Sequence, residues 1–270
     1  MLGQGTKSLL MRTLLVLGLV QLALGPVAAA SPPTAEARAQ LAPSGKLRVA
    51  ILTYDPALGS RGASGAPGGV EGDLARSLAD AIGVPLETIF YDLPQGFARS
   101  VGALAWDVAF TGREIPGRLD FAATILLVEH ELLLAPGRSF QDLADVDGDK
   151  VRVGVTAGTM DEPFLGQRLH KAFLFRVLVG PDAASMTLRN SGADVFAGSL
   201  PFLSKVAAGV PGSRMLGPPY ALVPVMVAVA PGRTAARAYV ADFVREAKTS
   251  GFIQQSINRA QLPGVTVAPP

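Results

Sequence analysis

The chain has 270 residues, of which 17% are charged and 49% hydrophobic, and it contains 30 Gly, 21 Pro and no Cys. This length and apolar content suffice for one large core or two modest ones and exclude a disordered chain. The lack of cysteine excludes a disulfide scaffold, thiolate metal sites, a thiol nucleophile and a lipid-modified cysteine anchor. With only His130 and His170, a multi-histidine metal centre is nearly excluded as well.

The first 30 residues have the pattern of a secretory signal. Lys7 and Arg12 precede an apolar run, and small residues with A-x-A spacing follow up to Ala30. The run is shorter than the roughly 20 apolar residues of a transmembrane helix and ends in a processing site. We therefore expect a cleaved signal peptide over residues 1–30, with an uncleaved membrane anchor as the alternative.

The formal net charge of +2 comes from the two cations of that segment. Without them the chain carries equal numbers of basic and acidic residues. The remaining sequence also lacks a dense basic patch with interleaved aromatic residues. We therefore expect no nucleic-acid partner.

Short apolar runs alternate with amphipathic segments along the rest of the chain, which predicts parallel βαβ units. In the first half the pattern predicts strands at 46–53, 86–91 and 106–110, with helices at 73–82 and 95–104. It then restarts, with strands at 150–156, 173–179 and 193–197 and helices at 160–171, 182–190 and 199–208. The glycine-rich segment 59–69 is expected to be a flexible loop at the edge of a cleft.

The repeated rhythm predicts two α/β lobes, each a mostly parallel sheet flanked by helices. Two long apolar runs, 126–134 and 221–230, are the natural hinge strands between them, and the last helices are expected to pack on the first lobe. The predicted organisation is an N-terminal arm at 31–44, lobe 1 at 45–130 and 222–270, and lobe 2 at 131–221.

The sequence contains no assembled catalytic or metal-binding motif. Asp145, Asp147 and Asp149 resemble the start of a calcium loop, but the glycine is misplaced and Thr156 stands where the bidentate Glu is required. A polar turn before the next strand is the better interpretation. The pair His130-Glu131 lacks the second histidine of a zinc protease motif. We expect no metal, no cofactor and no enzymatic activity.

Groups suited to binding an anion follow two of the predicted strands. Thr111, Gly112 and Arg113 follow one strand, Arg118 lies in the next turn, and Gly158-Thr159 opens a helix after another. Free N–H groups at a helix start favour a carboxylate, and ligands of open α/β sheets bind at the carboxyl ends of the strands. These residues could thus face one another across a cleft. The alternatives are a solvated arginine at 113 or 118 and simple capping or turn hydroxyls at the two threonines.

The order of several segments resembles the family 3 extracellular solute-binding proteins, two-lobed periplasmic receptors that mostly serve amino-acid ABC importers. The similarity extends over most of the chain after residue 44. It rests on Gly45–Ala50, Gly69–Ala75, Trp106–Phe110, Arg118–Phe121, Val151–Thr159, Gly192–Gly198 and Glu246–Ile253.

The resemblance implies roles for several residues. Arg118 matches the arginine that holds a ligand α-carboxylate, and four further positions match groups near that carboxylate: Thr111, Gly112, Gly158 and Thr159. Tyr54 matches an aromatic residue after the first strand. Ser199 replaces the acid that binds the α-amino group, and Glu129 is a candidate substitute or a water-facing hinge residue.

These expectations define a function. The chain is expected to be a monomeric, freely diffusing periplasmic protein that captures a small carboxylate-bearing solute, an amino acid or organic acid, for the permease of an ABC importer. The alternatives are an enzyme resembling cyclohexadienyl dehydratase on the same scaffold and a ligand-sensing module for a membrane receptor.

Overall fold

The computed structural model describes residues 31–55, 59–103, 105–112, 118–178 and 180–269. The predicted signal peptide and Arg113 lie outside these ranges. In the part of the chain that is described, no helix has the length and apolar character needed to cross a membrane.

The described residues form an α/β structure. Its helices are α1 (Ala35–Leu41), α2 (Gly69–Ile82), α3 (Pro94–Ser100), α4 (Leu143–Val146), α5 (Asp161–Gly166), α6 (Pro181–Arg189), α7 (Leu200–Ala208), α8 (Thr234–Thr249) and α9 (Phe252–Ala260). Its strands are β1 (Leu47–Leu52), β2 (Ser60–Arg61), β3 (Pro67–Gly68), β4 (Leu86–Tyr91), β5 (Val108–Thr111), β6 (Asp120–Leu134), β7 (Arg152–Thr156), β8 (Phe173–Val177), β9 (Val195–Ser199), β10 (Arg214–Met215), β11 (Ala221–Val229) and β12 (Val265–Val267).

The main sheet has the strand order β4-β1-β5-β11-β6-β9-β7-β8. Strand β1 pairs in parallel with β4 and β5, and β7 pairs in parallel with β8 and β9. Each of these triplets is the parallel sheet of one lobe, and α/β packing covers its apolar strands with helices. The predicted two-lobed α/β class is confirmed.

Two long antiparallel strands join the lobes. Strand β6 pairs with β11 over most of its length, from Asp120 opposite Val229 to His130 opposite Ala221. Strand β11 also pairs with β5 of the first lobe, and β6 with β9 of the second. Strand β6 begins six residues earlier than the predicted run, so one continuous strand reaches from one lobe into the other.

The buried apolar side chains form one cluster in the first lobe and two in the second. The first cluster packs α2, α8 and α9 against the β4-β1-β5 triplet, and it includes Leu52, Leu74 and Phe243. The other two clusters lie on the two faces of the second triplet, around Phe196 and Val155. The final helices thus pack on the first lobe, as predicted. The exact lobe boundaries stay a prediction.

The segment predicted as an N-terminal arm contains helix α1, so an ordered element precedes the first predicted strand. Thr34 caps the helix by accepting a hydrogen bond from Ala37 N, and Ala37 and Leu41 are buried. Gln40 and Arg233 tie the helix to the start of α8. The helix is stabilised because it packs against α8 and buries its apolar residues. The local sequence does not reveal this contact.

The glycine-rich loop and two helices also differ from the sequence prediction. Strands β2 and β3 form a small hairpin in the 59–69 segment. Helix α3 ends at Ser100, near Gly102 with its φ of +89°, and α5 ends at Gly166. Glycine is a poor helix former, and the positive φ of Gly102 is one that glycine adopts easily because it has no side chain.

Candidate ligand-binding site

A cleft opens between the lobes beside the hinge strands and contains about 670 Å³ of space free of protein atoms, counted out to its mouth. Most of its lining is apolar. The hinge strands supply valines, and the start of α3 supplies the wall on the first lobe. These apolar residues are Pro94, Phe97, Ala98, Val128, Val223 and Val225. A concave, mainly apolar space with a few polar groups is the usual form of a small-molecule site.

The carboxyl ends of three strands meet at this cleft, as open α/β sheets lead one to expect. Tyr54 lies just after β1, Thr111 and Gly112 lie at the end of β5, and Gly158 and Thr159 follow β7. All five line the cleft. The structure thus brings together five of the eight residues that the sequence singled out, and their contact with a ligand stays a prediction.

Arg118 lies elsewhere. It lines a second, smaller pocket together with Ser100, Gly102 and Trp106. One of its guanidinium nitrogens is 3.9 Å from where a Cβ on Gly102 would stand, and the side chain is exposed. In this structure the arginine expected to hold a ligand carboxylate is therefore not in the cleft.

The Gly158-Thr159 turn already has internal partners. The amide of Gly158 donates to Glu162 Oε2 at 3.1 Å. The hydroxyl of Thr159 lies 2.9 Å from the carbonyl oxygen of Thr156 and 3.1 Å from Asp161 Oδ2. The turn that was expected to meet a ligand carboxylate thus holds two carboxylates of its own chain.

Ser199 connects the two lobes. Its hydroxyl caps α7 by accepting a hydrogen bond from Phe202 N at 3.2 Å, and it donates to Asp55 Oδ1 at 2.9 Å. Asp55 follows β1 in the first lobe and lines the cleft. Ser199 itself is buried and does not line the cleft. A carboxylate therefore does stand beside position 199, but it comes from the opposite lobe.

Glu129 faces away from the cleft. Its neighbours Val128 and His130 line the cleft. Because successive side chains of a strand point to opposite faces, Glu129 points away from the cleft. Glu129 is the residue placed against the turn before β12, where its Oε2 lies 2.7 Å from where a Cβ on Gly264 would stand. The structure thus places this candidate on the other side of the hinge.

A buried polar cluster joins the hinge to the second lobe. His130 Nδ1 and the Tyr220 hydroxyl each lie 2.5 Å from Asp161 Oδ1, and Thr159 contacts the other carboxylate oxygen. His130 and Asp161 line the cleft, whereas Tyr220 does not. No sequence motif selects His130 or Asp161 as site residues, because a single histidine on an apolar strand and an acid at a helix start are both common.

The protonation of this pair follows from its surroundings. Burial alone lowers the pKa of His130, but the charge and hydrogen bond of Asp161 and the charge of Asp55 outweigh it, so the net pKa is raised. Burial alone raises the pKa of Asp161, but His130, Tyr220 and Thr159 outweigh it, so the net pKa is lowered. Both shifts favour the imidazolium–carboxylate form of this pair at the edge of the cleft.

Asp147, from the rejected calcium motif, has a structural role. Its Oδ1 accepts hydrogen bonds from the backbone N–H groups of His170, Lys171 and Ala172 at 2.7–3.0 Å, which lowers its pKa. Within the described ranges, no group of three or more His, Cys, Asp and Glu side chains is arranged to hold a metal ion.

No protein-family model and no curated protein matches the chain. Solved structures do match. The amino-acid ABC transporter substrate-binding protein AbpA of Streptococcus pneumoniae, bound to L-arginine, has a TM-score of 0.71 at 19% identity, covering 82% of this chain and 96% of that one. The chain has the two-lobed fold of ABC-transporter substrate-binding proteins.

Two further structures share the substrate-binding-protein fold. A binding component of an ABC transporter from Wolinella succinogenes, complexed with lysine, has a TM-score of 0.70 at 22% identity, covering 80% of this chain and 95% of that one. An ancestral amino-acid-binding protein, described as a precursor of cyclohexadienyl dehydratase, has a TM-score of 0.70 at 20% identity, covering 82% and 98%. The predicted family resemblance is confirmed at the level of fold.

Proposed function

We propose that this protein captures a small solute in the interlobe cleft and presents the closed form to the permease of an ABC importer, as a monomeric periplasmic protein. One observation supports this proposal above the others: a mainly apolar cleft is lined by both lobes and by the two strands on which they would hinge. A ligand that contacts both lobes only when they are closed favours the closed state.

The solute has an apolar body, because valines, Phe97 and Pro94 form most of the cleft lining. The sequence predicts a ligand with a carboxylate, but no guanidinium group in the described lining could pair with it. Arg118 lies outside the cleft, and Arg113 is not among the described residues. The structural neighbours bind amino acids such as L-arginine and lysine, whereas the lining of this cleft is mainly apolar. Apolar amino acids and their analogues are therefore the first solutes to test.

An enzyme in which a cleft carboxyl group transfers protons receives no support from Asp161. Proton transfer at neutral pH calls for a cleft acid with a raised pKa. Asp161 lines the cleft and has a lowered pKa. Glu71 and Glu131 have raised pKa values, but neither lines the cleft.

A ligand screen with a cleft-filling variant tests the proposal. Thermal unfolding is measured with amino acids, small carboxylates, amides and alcohols. A solute at about 100 times its dissociation constant raises the unfolding free energy by about 2.7 kcal/mol. Ala98→Trp fills the cleft from an exposed position on α3 and is expected to abolish the shift.

The matched control is Ala238→Trp, an equal change at an exposed position of α8 outside the cleft. It is expected to bind the solute like the wild type. A screen without any stabilising solute, or Ala98→Trp binding as tightly as the control, would contradict capture in this cleft.

A further inference from the structure

The mainly apolar cleft also has polar lining residues, and two of them, His130 and Asp55, bear opposite charges when ionised. Both residues line the cleft, and among its described lining residues there is no Lys or Arg. Ser199 lies opposite His130 in the pairing of β6 with β9, and its hydroxyl is 2.9 Å from Asp55 Oδ1, which brings Asp55 near the imidazole; the charge of Asp55 accordingly contributes to raising the pKa of His130. A solute that enters this cleft therefore meets a ring N–H donor and a carboxylate acceptor near each other.

The imidazole of His130 is oriented by its contact with Asp161. Nδ1 lies 2.5 Å from Asp161 Oδ1, and the carboxylate also has Tyr220 and Thr159 as partners. Because Asp161 is ionised, Nδ1 keeps its proton, and Nε2 is the ring nitrogen left to meet a solute. In the imidazolium form Nε2 carries a proton and donates.

Asp55 is oriented from the opposite lobe. The Ser199 hydroxyl donates to its Oδ1 at 2.9 Å, and Ser199 is itself held by Phe202 N. A carboxylate has about four lone-pair sites, so it can accept from a solute in addition to its protein partners.

Building on the proposed solute-binding function, we propose that His130 Nε2–H donates to an oxygen of the solute while Asp55 accepts from a donor on the same head group. The solute is then an apolar body whose head both accepts and donates, namely a hydroxyl, a primary amide or a zwitterionic amino-acid head. A head with only a carboxylate is repelled by Asp55, and a head with only an ammonium is repelled by the imidazolium.

A set of probes with similar branched bodies tests this proposal by titration calorimetry. Three probes have a head group that both donates and accepts hydrogen bonds: 4-methylpentanamide, 4-methylpentan-1-ol and L-leucine. Two probes have a head group with only one of these functions: 4-methylpentanoate accepts, and protonated 3-methylbutylamine donates. We expect at least one of the first three to bind at least about tenfold tighter than both of the others. Equal or tighter binding of the acid or the amine overturns the proposal.

Variants separate a contact with the solute from a structural role. His130→Phe keeps a ring but removes both nitrogens and is expected to lower the affinity at least about tenfold. Tyr220→Phe also removes a hydrogen bond to Asp161 but lies outside the cleft lining, and it is expected to change the affinity less than about threefold. Wild-type affinity in a folded His130→Phe protein overturns the proposal and leaves solute capture intact.

A pH series on the wild type provides a test that does not depend on how a variant folds. Asp161, Asp55 and Tyr220 are the titratable groups that face His130, and Ser199 of the neighbouring strand is uncharged. As the pH rises through the pKa of His130, Nε2 loses its proton while Asp161 keeps the proton on Nδ1. Affinity is expected to fall over that range, and constant affinity contradicts the proposed donor.

The outcomes for the two proposals are distinct. If none of the five probes binds but the wider screen finds another solute that Ala98→Trp excludes, the head-group proposal fails and solute capture stands. If no solute of either set binds, both proposals fail.

Discussion

At His130, two opposing effects of burial meet in one side chain. Loss of water disfavours the imidazolium, whereas the carboxylate of Asp161 at 2.5 Å favours it. The second effect is larger, so folding raises the pKa above the ordinary value near 6.5. Asp161 has the reciprocal behaviour, with a pKa below its ordinary value near 3.8.

These shifts set a pH range for the stability that the pair contributes. A raised histidine pKa stabilises the fold below about pH 6.5, and this contribution is lost as the pH rises through the folded pKa. A lowered Asp pKa stabilises the fold above about pH 3.8 and is lost as the pH falls through the folded value. Both contributions are fully present between these limits.

His130→Gln is therefore expected to lower the unfolding free energy more at about pH 5.5 than at about pH 9. Urea unfolding of wild type and variant at both pH values checks this. His170→Gln, at the chain's other histidine, is exposed and serves as the control with a small effect at both. An equal loss from His130→Gln at the two pH values would show that the pair does not titrate with folding.

At the scale of elements, the first strand of each parallel sheet makes the same hydrogen bond between an arginine N–H of its backbone and an Asp carboxylate. Asp107 stands before β5 and accepts from the backbone N–H of Arg48 at 3.1 Å, and Asp194 stands before β9 and accepts from that of Arg152 at 2.7 Å. In return, each Asp amide donates to the carbonyl oxygen of the same arginine. A carboxylate thus sets the start of the parallel register in both sheets.

The two carboxylates differ in their ion pairs. Asp107 is fully buried and contacts the guanidinium groups of Arg48 and Arg233 at 2.7–2.9 Å. Asp194 pairs with Arg138, whose side chain is 54% exposed. Breaking a buried pair costs more than breaking an exposed one, because water cannot replace the lost partner.

Asp107→Asn is expected to lower the unfolding free energy by about 3 kcal/mol, since two arginines lose a buried anion. Asp194→Asn keeps an oxygen that accepts from the backbone N–H of Arg152. It is expected to lower the unfolding free energy by about 1 kcal/mol. Chemical unfolding of the two variants makes the comparison. A cost for Asp194→Asn equal to that for Asp107→Asn would mean that burial of the ion pair does not set its contribution to stability.

At the scale of the whole molecule, the lobes contact each other directly across the cleft. The side chain of Gln95 in α3 donates to the carbonyl oxygen of Ala157 at 3.1 Å, and Asp55 accepts from Ser199. Gly158 lies against α3, and a Cβ there would stand 2.9 Å from Gln95 Nε2 and 3.3 Å from Pro94 Cβ. Glycine at 158 thus permits the close approach of the lobes.

Gly158→Ala is expected to open the cleft, because the new methyl group meets α3 of the other lobe. A larger radius of gyration by small-angle X-ray scattering, together with weaker solute binding, checks this expectation. Gly137→Ala is the matched control, since its φ of +78° resembles the +81° of Gly158 while no atom lies within 4 Å of its added Cβ. An equal change in both variants would indicate backbone strain instead of contact between lobes.

The cleft residues show which parts of the site a single sequence can predict. The local pattern predicts where strands end, and thereby places Thr111, Gly112, Gly158 and Thr159 at one edge of the fold, whereas Tyr54 follows only from the family resemblance. Side-chain partners across the chain are not readable in this way. Ser199 and Asp55 are 144 positions apart, and His130 and Asp161 are 31 apart, so no local signal joins them.

The sequence by itself determined the alternation of strands and helices, the repetition of this pattern, and hence two α/β lobes with hinge strands, because period and turn residues act over short distances. Only the tertiary structure decided which polar groups face the cleft. It placed Arg118 beside Gly102, Glu129 behind the hinge, and Asp55 and His130 at the cleft, because those positions depend on packing between distant segments. The absence of cysteine and the equal numbers of basic and acidic residues after residue 30 are compatible with both the predicted and the observed positions of these side chains. Composition therefore does not distinguish between the two.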